Sequence, residues 1–282
     1  MSAIDLHSHS NASDGALTPG ELVERACARG LKFLALTDHD TLSGIPAARE
    51  AAAGKLVLIP GIELSTTWED HQIHVAGLFI DPECPELKEL ISAQRQRRIE
   101  RAEQIGRRLE SLGFKDARAR TRQMAGEGAV ITRGNYARFI FAEGKARSVD
   151  DAFNSYLKRG RKAYVITRWI DIAMAVEIIH RAGGAAVLAH PRRYLLSNGK
   201  LRALIKYFKD SGGDALEVAS SQQRPCDRAY LADLCLRYGL LASAGSDFHN
   251  PGGWRDLGLN LDLPAKVHPV WELAVAQGYG FA

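Results

Sequence analysis

Imidazole and carboxylate side chains recur in short runs through this 282-residue sequence. The first run is Asp5-Leu6-His7-Ser8-His9, followed by Asp14. Later runs are Thr37-Asp38-His39-Asp40, Gly61-Ile62-Glu63, Ala189-His190-Pro191 and Gly245-Ser246-Asp247-Phe248-His249, with His74 standing alone. On an extended segment, an H-x-H or D-x-H spacing turns both side chains to one side. Imidazole together with carboxylate suits Zn²⁺, Mn²⁺ or Fe, and a bridging carboxylate suits a site of more than one ion. A lone H-x-H is often a surface pair. Such residues at six strand ends are not what packing selects, because buried charge is costly unless paired or metal-bound. Metal binding is therefore expected. His180, on an amphipathic helical pattern, and His268 are expected to be structural or exposed, and His71 is left out of the site.

Most of these runs follow short apolar segments. Ala3 to Leu6, Phe33 to Leu36, Leu56 to Ile59, Ile73 to Ile80, Ala185 to Leu188, Leu216 to Ala219 and Leu241 to Ala244 read as strands. Thr18, with Pro19 and Glu21 behind it, is expected to cap a helix that runs to Arg29 and stops at Gly30. Other helical patterns cover Ile170 to Ala182 and Cys226 to Tyr238. This alternation predicts an α/β fold with a parallel sheet or barrel. In such folds the C-terminal strand ends converge on one face, where sites are built. From Pro85 to Leu112 a long helical pattern breaks the rhythm, and no buried strand follows before Lys162. The expected organisation is a barrel domain, 1–99 and 164–282, with an inserted helical lid domain at 100–163.

Hydrophobic residues make up 46% of the chain and charged residues 25%, which fits a globular protein and not a disordered one. A formal charge of +4 is compatible with an anionic substrate without indicating nucleic-acid binding. Cys27, Cys84, Cys226 and Cys235 are scattered and form no C-x-x-C pair, which reads as reduced thiols. No basic-then-apolar leader precedes Asp5, and no apolar run is long enough to span a bilayer. A cytoplasmic location is expected, with no membrane and no stable protein partner. Trp68, Trp169, Trp254 and Trp271 are expected in the core.

The set His7-x-His9, Asp14, Thr37-Asp38-His39, Gly61-Ile62-Glu63, His74, Ala189-His190-Pro191 and Gly245-Ser246-Asp247-x-His249 resembles the PHP (polymerase and histidinol phosphatase) family. Within it, Asp5 to Ser10, Ala12-Ser13-Asp14-Gly15 and the inserted Thr132-Arg133-Gly134 are similar to bacterial members of the RNase AM type, which include 3',5'-nucleotide bisphosphate phosphatases. Those relatives usually carry His at the position of Asn135, a departure that leaves the role of this side chain open. The resemblance implies a distorted (β/α)7, amidohydrolase-like barrel and two or three divalent ions. Mn²⁺ is the commonest, with Zn²⁺, Fe and Mg²⁺ open. Carried over by position, His7, His9, Glu63 and Asp247 would hold one ion. Glu63, His74 and His190 would hold a second, with Glu63 bridging, and Asp14, His39 and His249 a third.

The chemistry this predicts is phosphate-ester hydrolysis. A water shared by two divalent ions has its pKa lowered from ~15.7 toward ~7, and the same ions neutralise phosphoryl oxygens. Attack by a metal-bridging hydroxide beside Glu63 and Asp247 is expected, with Asp40 or a metal-bound water protonating the leaving oxygen. Arg97, Arg98, Arg101, Arg133, Gly134, Asn135 and Arg192 are the candidate substrate contacts, since arginine forks suit phosphate. A second phosphate held by the lid fits a nucleoside 3',5'-bisphosphate. The alternatives are a 5'→3' exonuclease on short 5'-phosphorylated RNA or DNA, histidinol phosphate phosphatase, and a PHP module that serves only in interaction.

Overall fold

The computed structural model describes residues 2–252, 255–275 and 278–281. Strand β1 (Ile4–Asp5) leads to helix α1 (Pro19–Ala28). Thr18 starts that helix as a capping box. Its hydroxyl accepts from the Glu21 amide at 3.2 Å, and Glu21 Oε2 accepts from the Thr18 amide at 2.8 Å. Then come β2 (Phe33–Leu36), α2 (Ile45–Ala52), β3 (Val57–Trp68) and β4 (His71–Leu78). Helices α3 (Pro85–Ser111), α4 (Ala117–Ala125), α5 (Arg133–Ala142) and α6 (Val149–Ala152) follow without a strand between them. The chain resumes its alternation with β5 (Ile170–Asp171), α7 (Ile172–Arg181), β6 (Ala185–Leu188) and α8 (Asn198–Asp210). It ends with β7 (Ala215–Ala219), α9 (Pro225–Tyr238), β8 (Leu241–Ala244) and the short α10 (Glu272–Val275).

Among the described residues, the sheet runs β1-β2-β3-β4-β6-β7-β8, with β5 paired to β3 beside the main path. Backbone bonds from Leu6 N to Ala244 O, Asp247 N to His7 O and His9 N to Phe248 O bring its two edges together as a nearly closed barrel. The fold is α/β and barrel-shaped, as expected. It is not all parallel. β3 pairs antiparallel with β4, and β4 antiparallel with β6. Only Glu69 and Asp70 separate β3 from β4, and a parallel return needs a crossover of a dozen residues or more. β3 also runs to Trp68, nine residues past its expected end at Ile59. Glu63 therefore sits inside a strand and not at its tip.

The side-chain alternation of β3 and β4 divides the interior. Ile59, Ala76 and Leu78 join Leu6, Phe33, Ala35, Val187, Ala215 and Val270 in an apolar plug inside the barrel. Glu63 and His74 share that inward face further along the strands. The opposite face carries Ile62, Leu64, Ile73 and Val75 into the largest core cluster, under α7, α8 and α9. His71 belongs to this outer face, against Trp68. The end of α3 and the segment after it share a separate cluster, built on Ile105, Leu109, Phe114, Tyr136, Phe139, Ile140 and Leu157. Helix α3 runs unbroken past residue 99, so body and inserted segment share one helix. Trp68 and Trp169 are buried, Trp271 is partly buried, and Trp254 lies outside the described residues.

Gly245 joins β8 to the site. A Cβ there would meet the His7 Cβ at 2.2 Å. Gly245→Ala should cost about 1–3 kcal/mol by overpacking. It should lower the midpoint of urea unfolding with the slope unchanged. An unshifted midpoint would show that the two strand ends are not packed this tightly.

Candidate metal centre

Glu63 is fully buried at the middle of the site. Its Oε1 lies 2.9 Å from His74 Nδ1, 2.9 Å from His190 Nε2 and 3.4 Å from His7 Nε2. Its Oε2 lies 2.8 Å from His39 Nδ1 and 3.4 Å from His9 Nε2. Asp247 Oδ1 stands 3.1 Å from His9 Nε2 and 3.4 Å from His7 Nε2. Asp14 Oδ1 is 3.2 Å from His249 Nε2, and its Oδ2 is 3.8 Å from His39 Nε2. The structure thus brings together His7, His9, Asp14, His39, Glu63, His74, His190, Asp247 and His249.

Donor atoms of His7, His9, Glu63 and Asp247 lie within 4.8 Å of one another. So do those of His9, Asp14, His39 and His249, and those of His39, Glu63 and His74. The first group matches the set expected for one ion. The second gains His9. The third has His39 where His190 was expected, while His190 stays against Glu63.

This donor set fits divalent cations. His9 Nδ1, Asp14 Oδ1, His39 Nδ1, Glu63 Oε2 and His190 Nδ1 are buried without a hydrogen-bond partner among the described residues. The short approach of His39 Nδ1 to Glu63 Oε2 is therefore a contact and not an aligned hydrogen bond. His7 Nε2 and His9 Nε2 face each other at 3.2 Å. Converging lone pairs of this kind are costly unless a cation shares them. Nitrogen and oxygen ligands without thiolate suit Mn²⁺, Zn²⁺ or Fe.

The charges are strongly coupled. Burial alone would raise the Glu63 pKa, but His74, His39 and His7 outweigh it and hold the carboxyl well below its usual range. Burial is likewise outweighed at Asp14 by His249 and His39, and at Asp247 by Arg193 and His249. The acidic ligands are thus poised as carboxylates. Burial pushes His39 down to about 4 against the pull of Glu63 and Asp14, so it is a neutral imidazole able to bind metal.

A second layer orients these groups, and the sequence reading missed it. Glu217 Oε2 lies 2.6 Å from His7 Nδ1. A carboxylate behind a ligating imidazole fixes the ring and raises its basicity. Its signal was a lone charge in the apolar run Leu216 to Ala219, at the same parity as Ala215 of the barrel plug. Asp38 accepts from the Ser10 amide, Ser10 Oγ and Ser13 Oγ at 2.6–2.8 Å, which pins the loop that carries Asp14. Tyr194 Oη accepts from the His74 amide at 2.9 Å. His190 and Asp247 both hold positive φ, of 31° and 53°. Such backbone strain is commonly kept at functional positions.

Known proteins are similar to this chain. The PHP domain family matches residues 5–166. The 5'-3' exoribonuclease Rnm of Escherichia coli K12 is 47% identical over 272 residues, which is 95% of this chain and 92% of that protein. The chain belongs to the PHP domain family. A 3',5'-nucleoside bisphosphate phosphatase of Chromobacterium violaceum is 41% identical over 274 residues, 96% of each chain. A solved amidohydrolase from Chromobacterium violaceum, with bound sulfate and no metal, superposes with a TM-score of 0.92 at 40% identity, over 97% of this chain and 96% of that one.

Around this PHP site the candidate substrate residues divide by whether a carboxylate already neutralises them. Arg98 Nε donates to Asp40 Oδ2 at 2.7 Å, and Arg98 Nη2 donates to Ser65 Oγ at 2.6 Å. Asp40 also accepts from the Ser65 amide and Gln94 Nε2. Asp40, the expected acid, is fully buried and engaged as an acceptor that ties α3 to β3. Arg98, an expected substrate contact, is its ion-pair partner. Arg192 is likewise held by Asp227 and Asn198 and stacked on Tyr230. Its neighbour Arg193 reaches Asp247 instead. Arg97 donates to Gln94.

Arg101 and Arg133 differ. Like Arg97, neither has a carboxylate within ion-pair distance among the described residues, but both donate to Gln72 Oε1. Arg101 is buried, and its Nε lacks a partner. Burial, then Arg133 and Arg98, depress its basicity well below normal, and burial lowers Arg133 to about 10. Trp169 lies under Arg101, and Phe153 and Tyr164 flank Arg133, at 5.0–5.9 Å. Gly134 and Asn135 have positional roles. A Cβ at Gly134 would come 2.7 Å from Asp14 Oδ2. Asn135 caps α5, accepting from the Thr132 amide at 2.7 Å and donating to Ser13 O. Thr132 Oγ1 donates to Asp14 Oδ2 at 2.5 Å. His180 and His268 lie outside the site and are exposed, as expected.

Asp247→Asn removes a shared carboxylate but keeps its shape. Losing an outer partner of a metal ligand costs about 10–100-fold, so losing a ligand should cost more. Bound metal, read by elemental analysis, and turnover should both fall while the circular dichroism spectrum is kept. Full metal content in this variant would remove Asp247 from the centre.

Proposed function

We propose that this protein hydrolyses the 3'-phosphate of nucleoside 3',5'-bisphosphates, giving the 5'-mononucleotide and phosphate. The observation that carries the reading is the uncompensated pair Arg101 and Arg133 beside a cluster of metal-ligating residues. One phosphate at the cluster and one at the guanidinium pair match a substrate with two phosphates on one ribose. The 41% identical relative of that name supports it. Histidinol phosphate fits poorly, because its ammonium group would approach two uncompensated cations.

In this reading His7, His9, Asp14, His39, Glu63, His74, His190, Asp247 and His249 hold two or three divalent ions, with Mn²⁺ the proposed metal. When bound, these ions lower the pKa of water and neutralise charge on phosphoryl oxygens. The chain's own contributions are positional. Glu63 and Asp247 draw the imidazoles onto one centre, and Glu217 sets the ring of His7. Arg193 brings positive charge against Asp247. Arg101 and Arg133, held by aromatic faces, orient the second phosphate with little rotamer freedom to lose. Residues 100–163 are proposed to act as a lid domain over a body of 1–99 and 164–282. Their separate core and the hydrogen bonds from Thr132 and Asn135 to the Asp14 loop support this. A cytoplasmic location is proposed from four free cysteines. No helix of the described residues is long and apolar enough to cross a membrane.

Arg101→Ala and Arg133→Ala should each lower kcat/KM for adenosine 3',5'-bisphosphate about 10–100-fold more than for adenosine 3'-monophosphate, as loss of a charge-assisted hydrogen bond implies. Equal losses on both substrates would overturn the clamp.

The 47% identical exoribonuclease supports a second reading, 5'→3' removal of nucleotides from short oligonucleotides. A 5'-terminal nucleotide presents the same pair of phosphates. A 5'-phosphorylated hexanucleotide should then release 5'-mononucleotides stepwise, faster than its 5'-hydroxyl counterpart. No release from either would leave the bisphosphate reading alone.

A further inference from the structure

Gln72 links the guanidinium pair to the metal-ligating cluster. Its Oε1 accepts from Arg101 Nη2 at 3.1 Å and from Arg133 Nη2 at 3.4 Å. Its Nε2 lies 3.0 Å from His74 Nε2. Guanidinium groups only donate, so the amide oxygen is the atom that faces them. His74 Nδ1 in turn lies 2.9 Å from Glu63 Oε1. Gln72 and His74 are two residues apart on β4 and share the inward face, opposite Thr67 and Ser65 of β3. Arginines from two helices, one strand amide, one imidazole and the central carboxylate thus form a single line.

The residue type matters here. Elsewhere in this site arginines are tied by carboxylates, Arg98 by Asp40 and Arg192 by Asp227. A carboxylate at position 72 would bind Arg101 and Arg133 more tightly, but it would neutralise them and compete with an incoming phosphate. An apolar side chain would leave two like charges free to move apart. An amide oxygen supplies the hydrogen bonds and leaves both charges uncompensated.

We propose that Gln72 is a positioning residue that determines specificity: it holds Arg101 and Arg133 at a set distance from the metal-ligating cluster, and so sets the spacing of the two phosphates the protein accepts. This inference rests on the clamp reading above.

The test compares Gln72→Glu, Gln72→Ala, Arg101→Ala and Arg133→Ala in the full, metal-loaded chain. Titration calorimetry measures the dissociation constant of adenosine 5'-monophosphate. Steady-state kinetics measures the ratio of kcat/KM for adenosine 3',5'-bisphosphate over adenosine 3'-monophosphate. Gln72→Glu keeps the shape and adds a charge. It should weaken 5'-monophosphate binding at least tenfold and more than Gln72→Ala does, with the selectivity ratio falling in the same order. A packing role gives the reverse order, since the near-isosteric glutamate would then be the milder change, and that order overturns the inference. If both arginine variants lose binding and selectivity while Gln72→Glu keeps them, the role of Gln72 falls and the clamp stands. If the arginine variants also keep them, the clamp reading fails and this inference with it.

Discussion

A single buried carboxylate, Glu63, organises the protein. Its two oxygens are approached by His7, His9, His39, His74 and His190, which come from four separate stretches of chain. Glu63 has no exposure to water. A buried carboxylate must be met by hydrogen-bond donors or by positive charge, from the rings or from cations between them. The barrel answers this demand by polarity along its axis. Ile59 and Glu63 lie on the same face of β3, one in the apolar plug and one in the metal centre. The antiparallel β3–β4 hairpin is what sets His74 beside Glu63. A crossover connection would have sent the chain out through a helix instead.

The segment after α3 bears on the chemistry as well as on the fold. Its Thr132 and Asn135 tie down the loop that carries Asp14, and its Arg133 joins Arg101 of α3 above the cluster. Neutralisation sorts the arginines of this region. Arg98 is spent on Asp40 and secures α3 to the β3 strand. Arg101, one helical turn further, meets the amide oxygen of Gln72 and the ring of Trp169. Two side chains three residues apart on one helix are therefore held differently, one by a carboxylate and one by an amide.

Much of the fold was legible because the inner strands are simple. Phe33 to Leu36 and Ala185 to Leu188 are buried on both faces and read as unbroken apolar runs, and Leu241 to Ala244 is broken only by Ser243. β3 was cut short in the reading because Glu63, Ser65, Thr66 and Thr67 interrupt such a run. Those polar residues continue the strand, with Glu63, Ser65 and Thr67 turned to the site and Thr66 bonded back to Ile73 O. The inserted helices were visible as a loss of the strand rhythm. Gln72 and Glu217 were not, since a lone amide or carboxylate carries no spacing that marks it.

The amino-acid sequence alone marked the candidate ligands, because H-x-H and D-x-H spacings and single carboxylates next to apolar runs are local, and local geometry turns such pairs to one side. It also determined the barrel class through the alternation of strand and helix. Tertiary structure decided everything that depends on which distant charge meets which. It brought His39 as well as His190 and His74 to Glu63, set Asp40 against Arg98, and left Arg101 and Arg133 without a carboxylate among the described residues. Helical periodicity gives the face an arginine occupies, but not the partner waiting there. Partner choice depends on contacts dozens of residues away, and these exist only once the chain has folded.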